Sequence, residues 1–144
     1  MALEEDIDEV VEMARMNIEE TRPENGFDEV VCRETYYGYL DRASPTIFVA
    51  EKDRALVGFL LAEMNSYRAS AGLFTTQEVL FVKPAHRGTR AAAMLMKHLI
   101  AWSRGLGAKE IIGGNDNSFN SDRTARFLEH FGFERVGNAM RRGL

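Results

Sequence analysis

Cysteine is nearly missing from this chain of 144 residues: there is one, Cys32, beside three prolines and one tryptophan. A lone cysteine forms no internal disulfide, so a disulfide scaffold is excluded and a reducing compartment is expected. Long hydrophobic runs are missing too. Ala55–Met64 and Ala91–Met96 are the longest, far below the roughly 18 residues that cross a bilayer. The opening MALEEDIDEVV lacks the basic-then-apolar order of a signal peptide, so a cytoplasmic protein without a membrane partner is expected. Excess positive charge is also lacking, since 18 Lys and Arg against 22 Asp and Glu leave a net charge of −4. Such a protein gains nothing from general attraction to phosphate backbones, so no nucleic-acid partner is expected. His86, His98 and His130 show no metal-ligand spacing, and no metal is expected.

What is present suits one folded domain over residues 1–144. Hydrophobic residues make up 45% and charged residues 28%, the balance of an ordinary soluble chain. A chain of this size hides roughly 68–70% of its unfolded surface, enough for a full core. Ile7, Val10, Val11, Ala14 and Ile18 follow helical spacing behind an acidic start, and Pro23 ends that helix. A second helix is expected from Asp28 to Leu40. Thr46–Glu51, Ala55–Met64 and Phe74–Lys83 read as three strands of an antiparallel meander. Ala92, Leu95, Met96, Leu99 and Ile100 make the clearest helical stripe. Lys109–Gly113 reads as a strand, Thr124–Phe131 as a helix and Phe133–Arg142 as a last, weakly hydrophobic strand. The order ααβββαβαβ predicts an α/β (α+β) fold. Its sheet is mixed and mostly antiparallel, with a splayed parallel pair and helices on both faces.

The segment with the most chemistry is VLFVKPAHRGTRAAA, residues 79–93. A buried strand meets Pro84, then Arg87-Gly88-Thr89-Arg90-Ala91-Ala92, then a helix. The first N–H groups of a helix lack partners inside it, and the dipole adds positive charge there. Gly88 lets backbone approach a ligand, Ala91 and Ala92 keep the first turn clear of bulk, and Arg87 and Arg90 add forked donors. This is the composition of a cradle for phosphate oxygens.

These residues resemble the pyrophosphate loop of the GCN5-related N-acetyltransferase (GNAT) superfamily, Gln/Arg-x-x-Gly-x-Gly/Ala after a strand ending apolar-x-Pro. Val82 precedes Lys83-Pro84, Arg87 takes the first loop position and Ala92 the last, while Arg90 replaces the middle glycine. Gly132-Phe133 resembles the family's C-terminal signature, with Leu128 at its tyrosine position and Ser121 at its asparagine position. The resemblance covers residues 6–142, and the family's opening strand is missing or very short. It implies acetyl-CoA as cofactor, with backbone contacts at Leu80, Phe81 and Val82 and pyrophosphate contacts at Arg87, Gly88, Thr89, Arg90, Ala91 and Ala92. Asn115, Asn117, Asn120 and Phe127 are the implied neighbours on the other side.

Acetyl transfer to an amine needs a base, because a lysine-type amine has a pKa of about 10.4. It also needs a donor for the oxygen that gains charge. Glu78 is the first candidate base, because strict alternation puts it on one face with Leu80 and Val82; Glu63 and Glu110 follow. The resemblance assigns the oxyanion donor to the Val82 N–H. The usual acid, a tyrosine, is replaced by Leu128, and water, Tyr67, Tyr36 or Tyr37 are the substitutes. The leading expectation is an acetyl-CoA-dependent N-acetyltransferase acting on a primary amine, free or in a peptide. Two alternatives use the same fold. One is an acyl-CoA-binding regulatory module with weak turnover, suggested by Arg90, Ser121 and Leu128. The other is a ligand-free interaction domain whose open sheet edge pairs with another chain. A homodimer is a reasonable assembly. Glu20, Glu24, Asp28, Glu29 and Glu34 beside Tyr36, Tyr37 and Tyr67 would suit a cationic acceptor.

Overall fold

A computed structural model describes residues 1–40, 42–115 and 119–143. Helix α1, Ile7–Thr21, begins after a 3-10 turn at Glu4–Asp6. It buries Ile7, Val10, Val11, Met13 and Ala14; of the stripe its spacing predicts, Ile18 is only half-buried, and Met13 is added. Helix α2 covers Glu29–Leu40. Strands β1 (Thr46–Lys52), β2 (Ala55–Ser66) and β3 (Leu73–Val82) form the antiparallel meander. Helix α3, Ala91–Gly105, crosses over to β4, Ile111–Ile112, which pairs parallel with β3. Helix α4 is Ser121–Glu129. The sheet order is β1-β2-β3-β4, a mixed sheet with one parallel pair.

The two faces of the sheet bury different helices. Val10, Met13 and Ala14 of α1 pack on Ile47, Phe59, Leu61 and Phe81, with Cys32, Tyr36 and Tyr39 of α2 alongside. On the other face Leu95, Met96 and Leu99 of α3 pack on Phe48, Leu60 and Ala62, closed by Leu128 of α4. Phe48, Phe59, Leu60, Met96 and Leu99 are fully buried. Burying each such side chain contributes about 1.5–3 kcal/mol.

Two expectations are corrected and a third is met. Residues 133–143 form no strand. Val136 and Met140 stay exposed there at 94% and 92%. Four charges and two glycines surround these two apolar residues, which find no surface to bury against. The strand expected over Lys109–Gly113 shrinks to Ile111–Ile112, and this shortness opens the sheet. The opening strand is indeed not formed; its remnant is one hydrogen bond, from the Ala2 N–H to the Ile47 carbonyl at 2.7 Å.

Candidate functional site

Strand β3 has two halves with different neighbours. Near its start, Thr75 and Thr76 pair with Ile111 and Ile112, and the Thr75 N–H donates to the Glu110 carbonyl at 3.1 Å. Beyond that point β4 has ended, and among the described residues no strand pairs with the same edge of β3. Between the halves lies a bulge. Leu61 pairs with Val79 and Ala62 with Gln77, leaving Glu78 as the extra residue.

The bulge changes which residues face the open edge. The Lys83 N–H donates to the Val57 carbonyl at 2.9 Å, making 57 and 83 a hydrogen-bonded pair. Antiparallel pairs alternate, so Gly58–Val82 and Leu60–Leu80 are the non-hydrogen-bonded pairs. Leu80 and Val82 therefore turn their N–H and C=O groups away from β2, toward the gap. Phe81 turns its own toward Phe59. A Cβ on Gly58 would sit 2.7 Å from the Phe81 carbonyl oxygen, as that direction requires. Backbone contacts expected at Phe81 are thus corrected: the available groups are those of Leu80 and Val82.

The bulge also overturns the shared face proposed for Glu78, Leu80 and Val82. Leu80 packs with the α3 cluster and Val82 against Ala91. Glu78 is an exposed bulge residue opposite Leu61, on the α1–α2 side. Burial pushes up the phenol of Tyr39 on α2, and the charges of Glu63 and Glu78 add to that push. Sequence reasoning missed Tyr39, whose phenol feels the charge of Glu78. Tyr67 instead donates to Glu110, at the closed end of the sheet. Tyr36 is mostly buried with its phenol pushed up, chiefly by burial, and Tyr37 is exposed.

A cleft of about 800 Å³ runs along the open edge of β3. Leu80, Val82, Gly88, Thr89 and Ala92 form one wall, with Gly113, Asn115, Asn120 and Phe127 opposite and Glu78 at one end. Gly88 has φ +81°, a conformation that favours glycine. Arg90, where the family pattern has glycine, is right-handed at φ −75°, ψ −7°, so its side chain costs no backbone strain. The Thr89 hydroxyl accepts the Ala91 N–H at 3.3 Å and donates to the His86 carbonyl at 2.7 Å. The N–H groups of Gly88, Arg90 and Ala92 find no partner among the described residues. They are the free donors of the helix start.

The two arginines do not serve the loop as expected. Arg87 is held by Glu20 of α1 in a two-pronged ion pair, with Nη1–Oε1 at 2.6 Å. Its Nε donates to the Val82 carbonyl at 3.0 Å, and its guanidinium lies over the Phe81 ring at 5.7 Å. Arg87 therefore braces the loop against α1 instead of presenting a free charge. Arg90 and Ala91 line a second, smaller cavity beside β1, not the cleft. Asn117 lies outside the described residues. Leu128 is buried at 4% exposure, in the α3-side core. No group of three metal-ligating side chains occurs among the described residues.

The open edge, the free N–H groups and the cleft fit an extended ligand that carries amides at one end and phosphates at the other. Coenzyme A has that build. The model of the acetyltransferase (GNAT) family matches residues 4–133. The chain belongs to the GNAT acetyltransferases. Solved GNAT-like structures share its fold at low identity. A protein described as a transcriptional regulator from Bacillus halodurans C-125 is 18% identical, with 99% of this chain and 96% of that one covered and a TM-score of 0.84. The aminoglycoside N-acetyltransferase AAC(6')-Iy, solved with CoA, is 16% identical over 99% and 91%, TM-score 0.82. A ribosomal-protein-alanine N-acetyltransferase from Brucella melitensis biovar Abortus 2308 is 16% identical over 97% and 93%, TM-score 0.74. No curated protein matches the chain in sequence.

Proposed function

We propose that this GNAT protein is an N-acetyltransferase that moves the acetyl group of acetyl-CoA to a primary amine by direct attack. The observation that carries the reading is the uncovered edge of β3 running into the free N–H groups at the start of α3. Leu80 and Val82 would hold the amide-bearing arm, and Gly88 and Ala92 the phosphates through their N–H groups. When bound, acetyl-CoA supplies an activated acyl group on a thiol that leaves easily.

This chain's residues would do the rest. Glu78, exposed on the α1–α2 side, accepts the amine's proton directly or through water. The Val82 N–H donates to the oxygen that gains negative charge. Arg87 holds the Val82 carbonyl and so fixes the peptide plane beyond that N–H. The acceptor would be a small or peptide amine, and AAC(6')-Iy and the ribosomal-protein-alanine enzyme are named for amine acetylation. Glu63 and Glu78 near Tyr39 suit a cationic one. The proton for the leaving thiol would come from water or Tyr39, since Leu128, at the position where the family has its tyrosine, carries no proton to give.

That sealed Leu128 also favours a second reading, an acyl-CoA-binding module with weak turnover. Thermal unfolding with acetyl-CoA at about 100 times its Kd should show about 2.7 kcal/mol of added stability. Thiol release with a panel of polyamines, aminoglycosides and peptide N-termini then separates the readings. Binding with amine-dependent release supports the enzyme. Binding without release supports the module. No stabilisation at millimolar acetyl-CoA overturns both.

A further inference from the structure

The far edge of the sheet is open as well. The cleft runs along β3 and β4, and β1 lies at the other end of the order β1-β2-β3-β4. The Ala2 N–H donates to the Ile47 carbonyl at 2.7 Å, so Ile47 turns its backbone groups outward. Alternation turns those of Val49 and Glu51 outward too. After Ala2 the chain leaves this edge for the 3-10 turn at Glu4–Asp6. The outward N–H and C=O groups of Val49 and Glu51 therefore have no backbone partner among the described residues. Edge strands are commonly blunted by a bulge or by charges turned inward. Here the extra residue, Val57, lies in β2, and β1 stays regular.

A second cavity, of about 400 Å³, opens beside this edge on the α3 face. Phe48, Val57, Ala91 and Leu95 are its buried wall, and Met94 lines it at 63% exposure. Lys52, Arg90 and His98 line it too. Neither Lys52 nor Arg90 takes part in an ion pair among the described residues. The one carboxylate in the lining is Glu51. Alternation turns it to the α1 face with Val49, whereas Lys52 shares the α3 face with Phe48 and Ala50. Thr89 alone lines both this cavity and the cleft.

We propose that the outer edge of β1 docks an extended, acidic segment of a partner protein, which joins the sheet as a further strand. Main-chain hydrogen bonds to Val49 and Glu51 give such pairing its affinity, and a pocket for alternate side chains gives it specificity. Residues opposite each other in a sheet share a face. The residue opposite Ala50 therefore points to the α3 face, where the cavity takes an apolar side chain. Acidic residues two places to either side share that face and meet Lys52, Arg90 and His98. A second copy of this chain suits the edge poorly, because its segment outside helix and strand, 134–143, carries Arg135, Arg141 and Arg142 against Glu134 alone. This docking needs no acetyl-CoA.

The test titrates isotope-labelled protein with a blocked heptapeptide, Thr-Glu-Thr-Leu-Thr-Glu-Thr, and follows the backbone amides by NMR. Saturable shifts are expected at Val49, Glu51, Met94 and His98, and none at Leu80 or Val82. The lysine counterpart, Thr-Lys-Thr-Leu-Thr-Lys-Thr, should bind about tenfold more weakly. Lys52→Glu with Arg90→Glu should reverse that preference, which a folding defect cannot do; Lys52→Glu alone serves if the double variant does not fold. Millimolar acidic peptide that leaves the β1 amides unmoved overturns the proposal, and so does equal binding of the two peptides. Octanoate that moves the α3 amides but not Val49 would mark a small-molecule pocket and overturn it. Dimerisation of the protein alone through β1, seen by light scattering and the same amides, would give the edge to a second copy and overturn it too.

Discussion

The two halves of β3 differ in one neighbour and consequently in everything else. The first half is closed: β4 covers its edge at Thr75 and Thr76, and Thr75 is fully buried and hydrogen-bonded to Ser103. The second half is open: the N–H and C=O groups of Leu80 face a cleft, as does the Val82 N–H, while Arg87 occupies the Val82 carbonyl. A single extra residue, Glu78, separates them and shifts the outward-facing positions from 73 and 75 to 80 and 82. The closed half is built for stability. The open half leaves polar backbone unpaired, a cost that makes sense where a ligand completes the ladder.

The comparison breaks most sharply at Glu78. Glu78→Gln keeps the shape and removes the base, so kcat should fall by about 10²–10⁴ while acetyl-CoA affinity and unfolding midpoint stay put. A full-strength kcat in this variant would hand the proton to water alone. The reciprocal change lies in the closed half. Thr75→Val leaves the buried Ser103 hydroxyl without its partner and should cost about 1–3 kcal/mol in urea unfolding. Turnover per folded molecule should not change. Adding Ser103→Ala should recover most of that loss, because the unpaired group is then gone; a kcat that drops with stability would show the halves are coupled.

Much of this arrangement was legible in the sequence. Helical spacing gave α1 and α3, alternation and turn residues gave the meander, and the loop at Arg87–Ala92 lay where its composition implied. What was not legible depended on long-range geometry. The run LFTTQEVLFV carries no glycine or proline to mark a bulge, so strict alternation put Glu78 on the wrong face. Arg87 looked like a free phosphate ligand because its partner Glu20 lies 67 residues away. The last strand failed because Val136 and Met140 have nothing to cover them.

The phosphate end of the open half is sharpened by Gly88→Ala. Nothing lies within 4 Å of the new Cβ, so the cost is conformational alone, about 1 kcal/mol for an alanine at φ +81°. If the loop keeps its shape, stability drops by that amount. If it relaxes toward negative φ, the free N–H groups swing away and coenzyme A binding weakens several-fold with smaller loss of stability. Unfolding and calorimetry together separate these, and no change in either would mean the loop is idle.

The smallest effect concerns the back of the open half. Its edge is bare, but its α2 face is sealed by Tyr36, whose ring stands 6.2 Å from Phe59, itself 6.2 Å from Phe81. Burial disfavours the Tyr36 phenolate and raises its pKa above the ordinary value of about 10. The folded state therefore holds this proton more tightly than the unfolded state. Its contribution is complete below about pH 10 and is lost as pH rises above that value. Tyr36→Phe keeps the ring contact and removes the titration. Between pH 9 and about pH 11 the variant should lose less stability than wild type in urea unfolding. Equal losses would mean that Tyr36 ionises freely in the folded protein and that α2 does not seal this face.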